Sequence, residues 1–144
     1  MRRLASWWRL PSRERRVLAL AWVALLVARV ALWVVPVDRC LMTPRRRARR
    51  PLPLDRIARL VEIAARRPPK AGCLPIAIVT AWLLARQGTP ATLRIGVARH
   101  AGELTAHAWL EYRGVPLLDA CEADGWAPIL GVAVAAPVSG GERA

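Results

Sequence analysis

Residues 70–88 have the sequence KAGCLPIAIVTAWLLARQG, which predicts a loop, a helix and a stop. The apolar residues between Ile76 and Leu84 recur at helical spacing, and Gly88 suits the position just past a helix C-terminus. Pro75 is tolerated in the first turn, because the N–H that proline lacks would have no intrahelical partner there. Cys73 is therefore expected at or just before the first helical turn.

A cysteine at this position has a chemical use. The unpaired N–H groups and the positive end of the helix dipole stabilise a thiolate, which is the nucleophilic form of the side chain. Gly72 leaves room for a substrate, and the same N–H groups would steady the oxyanion formed when a carbonyl is attacked. A free cysteine is more often a small buried apolar residue, and Cys40 and Cys121 are interpreted in that way.

The residues after this helix predict three strands, over 91–98, 104–111 and 115–120. The last two flank a turn and form a hairpin. A helix that bears Cys73 and packs on a small antiparallel sheet is an α+β architecture. His107, one of the two histidines in the chain, lies in the middle of the second strand.

The type of hairpin turn determines which residue lies opposite His107. A two-residue turn would place His107 opposite Ala120 and would direct Asp119 to the other face of the sheet. A three-residue loop over 112–114 would instead place Asp119 directly across from His107, with Cβ atoms about 5 Å apart. The last residue of that loop must be left-handed and is Gly114, so we predict the three-residue loop. Asp119 would then hold the imidazole in one tautomer.

Three other carboxylates near His107 are interpreted as solvated surface acids: Glu111, Glu122 and Asp124. Cys73, His107 and Asp119 are the set that covalent acyl transfer requires. The three cysteines form no CxxC motif and no zinc-type spacing with the histidines, so neither a metal nor a cofactor is expected. Their odd number suits a reducing compartment.

The positive charge is concentrated in the first third of the chain. The net charge is +13, and residues 1–50 hold thirteen arginines against two acids, a net +11, which leaves only +2 for the remainder. Nucleic-acid grooves place basic residues along the folded binding face, among aromatic or glycine residues. That pattern does not occur after residue 50, so no nucleic-acid partner is expected.

The N-terminal region contains an apolar run, residues 17–37, interrupted only by Arg29. Its 21 residues reach the length of a membrane-spanning helix, with arginines on both sides. Two arrangements stay open: a helix that packs on the protein or on a partner subunit, and a helix associated with a membrane. A Pro- and Arg-rich linker follows, and a second helix is expected from Leu54, ending before Pro68-Pro69.

These features suggest three parts. Residues 1–50 would form the N-terminal apolar helix and the Arg-rich linker. Residues 51–135 would form the catalytic domain, and residues 136–144 a flexible tail.

Three stretches carry a resemblance to a known family: CLPIAIVTAWLLARQGTPATLRIGV, AHAWLEYRGVPLLD and DGWAPI, at residues 73–97, 106–119 and 124–129. Together they resemble the leader-peptidase half of the lasso-peptide B protein, a transglutaminase-like cysteine protease. The similarity covers roughly residues 55–130.

The resemblance implies a transglutaminase-like or papain-like core with Cys73 as nucleophile, His107 as general base and acid, and Asp119 as orienting carboxylate. The substrate would be a ribosomally made precursor peptide, composed of a leader and a core. A separate leader-recognition protein would deliver it, and a separate ATP-dependent lasso cyclase would close the core. A cytoplasmic location is expected, with association to a membrane through residues 17–37 left open.

Two other functions remain open from the sequence. One is a non-catalytic, basic, membrane-associated scaffold subunit, which would leave the Cys73, His107 and Asp119 arrangement without a purpose. The other is a thiol acyltransferase of the transglutaminase type, which passes the acyl group to an amine instead of water.

Overall fold

The computed structural model of the chain describes residues 10–40, 51–100, 102–117 and 125–134. These ranges contain four helices and four strands. The helices are α1 (Ser12–Ala31), α2 (Val37–Cys40), α3 (Leu54–Ala65) and α4 (Cys73–Arg86). The strands are β1 (Ala91–His100), β2 (Glu103–Tyr112), β3 (Val115–Pro116) and β4 (Ala127–Val134). The Arg-rich residues 41–50 and the tail at 136–144 lie outside the described ranges.

The strands form one antiparallel sheet in the order β3-β2-β1-β4. Helix α4 packs on this sheet and is covered on its other side by α1 and α3, which also pack on each other. The α+β architecture is therefore confirmed. The sheet has one strand more than the sequence predicted, because β4 adds to the outer edge of β1.

Helix α4 is apolar around most of its circumference, as expected for a helix covered on both sides. Its one buried hydroxyl, that of Thr80, donates a hydrogen bond of 2.8 Å to the carbonyl of Ile76. The helix ends at Arg86, and Gly88 lies just past its C-terminus, as predicted. The φ of Gly88 is 79°, which is the left-handed conformation of a Schellman motif. In that motif the Thr89 N–H donates to the carbonyl of Leu84 at 3.0 Å.

Helix α3 begins at Leu54 and ends well before Pro68, in agreement with the prediction. It buries one apolar stripe against the neighbouring helices, including Ile57, Leu60 and Val61. Just before α3, the N–H of Leu52 donates to the side-chain oxygen of Gln87. This bond attaches the end of the linker to the end of α4.

Helix α1 packs against α3 and α4 through Leu18, Ala21, Leu25 and Ala28, which are all buried. One side of the apolar run therefore packs on the rest of the protein, which was one of the two arrangements left open. The helix is shorter than the predicted range of 17–37, since it ends at Ala31. No helix in the described ranges is both long and apolar enough to cross a membrane.

An ion pair links α1 to α3. Arg56 donates from Nε to Oε1 of Glu14 at 2.9 Å and from Nη2 to Oε2 at 2.5 Å. These hydrogen bonds lower the pKa of Glu14, since they favour its ionised form. The same bonds raise the pKa of Arg56.

The hairpin between β2 and β3 differs from the prediction. Tyr112 pairs with Val115, so the turn has two residues, Arg113 and Gly114, with φ of 53° and 80°. The predicted three-residue loop over 112–114 is wrong. Two positive φ values in succession are typical of a type I′ turn, whose twist matches that of the flanking strands. The prediction gave the left-handed conformation to glycine alone, whereas Arg113 adopts it as well.

The two-residue turn also changes the next pair along the hairpin. The N–H of Leu117 donates to the carbonyl of Leu110 at 2.8 Å. Leu117 thus lies opposite Leu110 and not opposite Trp109, as the three-residue loop would require.

The ion pair predicts a specific dependence of stability on pH. Because the pKa of Glu14 is lower in the folded chain, the pair stabilises the protein fully above the ordinary pKa of a glutamate. That contribution is lost as the pH falls through the folded value. Glu14→Gln should therefore show a smaller decrease in urea-unfolding midpoint between neutral pH and about pH 3 than the wild type. Glu103→Gln, at an exposed glutamate of the sheet, is the control; an equal acid-induced decrease in wild type and Glu14→Gln would contradict the role of the pair.

The central position of α4 predicts a large effect of truncating its buried side chains. Leu84→Ala should lower the free energy of unfolding by about 2–5 kcal/mol, because Leu84 is fully buried and its loss leaves a cavity. Leu104→Ala, at a leucine that is 68% exposed, should change it far less. Chemical denaturation of both variants measures the difference, and similar losses would show that α4 is not the centre of the core.

Candidate active site

Cys73 is the first residue of α4 and is half-buried, with its side chain packed against the core. This confirms the predicted position at the start of the helix. The preceding residue, Gly72, caps the helix in an extended conformation. A Cβ added at Gly72 would meet no atom within 4 Å, so the approach to the cysteine is open on this side.

The start of α4 offers two backbone donors next to the thiol. The N–H of Ile76 bonds to the carbonyl of Gly72 at 3.3 Å and so begins the helical ladder. Pro75 has no N–H, which leaves the amides of Cys73 and Leu74 as the donors of this first turn. Such donors stabilise an oxyanion formed beside the sulfur.

His107 lies on β2 directly opposite Gly96 of β1. Its neighbours along the strand show which face it occupies, since side chains alternate between the faces of a sheet. Ala108 and Leu110 belong to the core shared with the helices. His107 and Trp109 therefore lie on the other face, away from α4.

Two tryptophans flank the imidazole of His107. The Trp109 ring is stacked at 6.2 Å between centroids with an interplanar angle of 15°, and the Trp126 ring is tilted at 5.2 Å. The Nε2 atom of His107 is shielded from solvent. The aromatic rings thus confine the imidazole and lower the polarity around it. The alternation in AHAWLE indicates that Trp109 shares this face, but nothing in the sequence indicated that Trp126 approaches His107.

Trp109 is held in place by a short chain of polar contacts. Its Nε1 donates to Oε1 of Glu111 at 3.1 Å, and Oε2 of Glu111 accepts from Nε of Arg94 at 3.0 Å. The Glu111 side chain is only 17% exposed, so its interpretation as a solvated acid is wrong. Glu111 lies four residues from His107, about 13 Å along the strand, and is too far away to orient that imidazole.

Gly96 makes room for the Trp109 ring. A Cβ at this position would lie 2.9 Å from Cη2 and Cζ3 of Trp109 and 3.0 Å from the carbonyl oxygen of Ala127. Only glycine therefore lets the indole lie over β1 at this point. No pattern in the sequence indicated this role of Gly96.

A family model described as the transglutaminase-like superfamily matches residues 16–131. The chain belongs to the transglutaminase-like superfamily. The superfamily includes cysteine peptidases and acyltransferases. No curated protein sequence and no solved structure matches the chain. The matched range contains Cys73, His107 and Asp119.

Asp119 lies outside the described residues of this transglutaminase-like chain, as do Cys121, Glu122 and Asp124. The predicted pairing of Asp119 with His107 required the three-residue loop, and the observed turn has two residues. The assignment of Asp119 as the orienting carboxylate stays a prediction that the resemblance alone supports.

The described contacts do not join the sulfur of Cys73 to His107. The thiol packs against the core at the start of α4, whereas the imidazole contacts Trp109 and Trp126 on the opposite face of the sheet. Strand β3, over its described residues, pairs only with the end of β2, at Glu111 and Tyr112. The described residues thus show Cys73 with the core on one face of the sheet and His107 on the other, and contact between the two groups stays a prediction.

Among residues 10–40, 51–100, 102–117 and 125–134, no three His, Cys, Asp or Glu side chains are grouped so that they would hold a metal ion.

The contact between Gly96 and Trp109 predicts the effect of adding one methyl group. Gly96→Ala should lower the free energy of unfolding by about 1–3 kcal/mol and change the near-ultraviolet circular dichroism, because the buried indole must move. Gly131→Ala is the matched variant, since its added Cβ would meet the Arg94 guanidinium, the end of a flexible side chain. It should cost less; equal costs would contradict the tight packing assigned to Trp109.

Proposed function

We propose that this chain is a cysteine peptidase that cleaves the leader from a lasso-peptide precursor, with Cys73, His107 and Asp119 as its triad. One observation carries the proposal: Cys73 is the first residue of a helix, behind an open glycine, in a chain of a superfamily that includes cysteine peptidases. The resemblance of residues 73–97 and 106–119 to the lasso leader peptidase supports the finer assignment.

The first step is attack of the Cys73 thiolate on the carbonyl carbon that joins leader to core. The carbonyl electrons move to oxygen, where the amides of Cys73 and Leu74 donate to the oxyanion. Collapse of this intermediate breaks the C–N bond and forms a thioester between the leader and Cys73. The imidazolium of His107 gives its proton to the departing amine of the core.

The second step is hydrolysis of the thioester. His107, now neutral, accepts a proton from water, and the hydroxide attacks the thioester carbonyl. The C–S bond breaks, the leader leaves as a carboxylic acid that loses its proton to solvent, and Cys73 returns as the thiolate beside the imidazolium. The bond cleavage consumes one water and needs no cofactor.

The surroundings of His107 suit this exchange of protons. Trp109 and Trp126 contact the imidazole and limit its rotation, so that one ring nitrogen keeps a constant direction. Asp119 is proposed to accept from the other nitrogen and to stabilise the imidazolium. Its support is the resemblance, which includes the Cys–His–Asp order along the chain.

The proposed partners follow from the same resemblance. A separate leader-recognition protein would present the precursor, and a separate ATP-dependent cyclase would use the amine that the cleavage frees. The cytoplasm is the proposed compartment, because a ribosomally made precursor is available there.

Acyl transfer to an amine is the second candidate function, because the superfamily also includes acyltransferases. It uses the same thioester and differs only in the second step, where an amine replaces water. The products distinguish the two functions, since transfer joins the acyl group to the amine whereas hydrolysis yields a free carboxylate.

The proposal predicts that Cys73 is indispensable for cleavage of the precursor. Mass spectrometry of a candidate lasso precursor, incubated with the chain and its leader-recognition protein, should show separate leader and core for the wild type and none for Cys73→Ala. Cys121→Ala is the matched control and should still cleave. Cleavage by Cys73→Ala would contradict the proposal, and an amine adduct of the leader would favour the acyltransferase.

The triad predicts that its members act as a unit. His107→Ala should lower kcat by about as much as Cys73→Ala, and the double variant should be no slower than either single one. Single-turnover cleavage of the precursor measures these rates. Multiplicative losses in the double variant would indicate that His107 acts independently of the thiol.

A further inference from the structure

The side of α1 that faces away from the core is apolar and exposed. Val27 and Val30 are 61% and 70% exposed, and Trp33, just beyond the helix, is 88% exposed. The other large exposed apolar residues on this side are Leu20, Val23 and Val34. We call these six residues, of which Trp33 and Val34 lie just beyond the helix, the outer face of α1. A helix that is apolar on every side is normally buried on every side, and a continuous exposed patch of this kind marks an interaction surface.

A groove runs between the outer face of α1 and helix α4. Its volume is about 480 Å³, and its walls include Val27, Ile78 and Trp82. Arg39, which follows α1, is the one charged residue among the groove's lining residues. The exposed apolar surface therefore continues from the side of α1 into a recess beside a cation.

Positive charge lies at both ends of the outer face. Arg13, Arg15 and Arg16 lie in the first turns of α1, and Arg39 lies in α2, beyond its other end. Arg29 is not counted here, because its Nη1 donates to the carbonyl of Lys70 at 3.0 Å. The sequence adds further arginines on both sides, and residues 1–50 have a net charge of +11 against +2 for the remainder. An apolar face between clusters of cations is complementary to a surface that is apolar inside and negatively charged outside.

The packing of α1 determines which of its sides can bind such a surface. One side of α1 is held against α3 and α4 by Leu18 and Leu25, so only the outer face is available. The helix has 20 residues, a length of about 30 Å. Trp33 is of the residue type that collects at the boundary between lipid headgroups and acyl chains.

We propose that the outer face of α1 binds an anionic phospholipid bilayer, with the helix parallel to the membrane surface. Apolar side chains such as Val27, Val30 and Trp33 enter the headgroup boundary, and the flanking arginines contact lipid phosphates. The surface lies outside the catalytic residues, so membrane binding is independent of the peptidase activity.

Vesicle flotation of the full chain tests this proposal. Vesicles of phosphatidylcholine mixed with phosphatidylglycerol should carry the protein, and vesicles of phosphatidylcholine alone should carry at least about tenfold less. Added salt should weaken the binding. The double variant V27S/V30S should lose most of the bound fraction. L104S/V115S is its matched control on the sheet, because both residues are similarly exposed, and it should bind as the wild type does.

The charge contribution has its own pair of variants. Arg39→Gln should weaken binding to the anionic vesicles, whereas Arg99→Gln, which removes the same charge from the sheet, should weaken it less. Cys73→Ala should bind as the wild type does. Circular dichroism spectra of all variants establish that they are folded.

Three results would overturn the proposal. The first is no binding to the anionic vesicles by the folded wild type. The second is equal binding by V27S/V30S and L104S/V115S. The third is a dimer in solution that V27S/V30S converts to a monomer, since the outer face would then be covered by a second copy of the chain.

Discussion

Helix α4 is covered by α1 and α3 on one side and by the sheet on the other. Its residues are mostly apolar, so the hydrophobic effect favours burial of the helix on both sides. This burial fixes the direction of the helix and thereby the position of its first residue. Cys73 lies where the core ends, so a rigid scaffold carries a half-exposed thiol. The Schellman motif at Gly88 closes the other end and joins the helix to β1.

The two faces of the sheet carry different groups of residues. Ala108 and Leu110 complete the core with α4, while His107 and Trp109 lie on the opposite side. On that second side, the contact from Arg94 through Glu111 positions Trp109 and so limits the movement of the imidazole. Core residues and residues of the candidate site thus alternate along β2 with a period of two residues.

Local signals predicted α1, α3 and α4, the position of Cys73 and the helix stop before Gly88, because each depends on residues close in sequence; the short helix α2 was not predicted. The hairpin register depended on whether Arg113 would adopt a positive φ, as it does. The intrinsic preference of a residue other than glycine is against a positive φ, whereas the twist of the two strands favours it in a two-residue turn. Strand β4 has the sequence APILGVAV, an apolar run without alternation, so its period does not distinguish strand from buried helix. The approach of Trp126 to His107 joins distant parts of the chain and has no local signal.

The central claim is that His107 activates the thiol of Cys73. The direct measurement is the rate at which iodoacetamide alkylates each cysteine of the native chain at neutral pH, determined by peptide mass spectrometry. Cys40 and Cys121 serve as internal references. We predict that Cys73 reacts at least about tenfold faster than either reference, and that His107→Ala removes this advantage. Equal rates at all three cysteines, or a Cys73 rate that His107→Ala leaves unchanged, would contradict the claim.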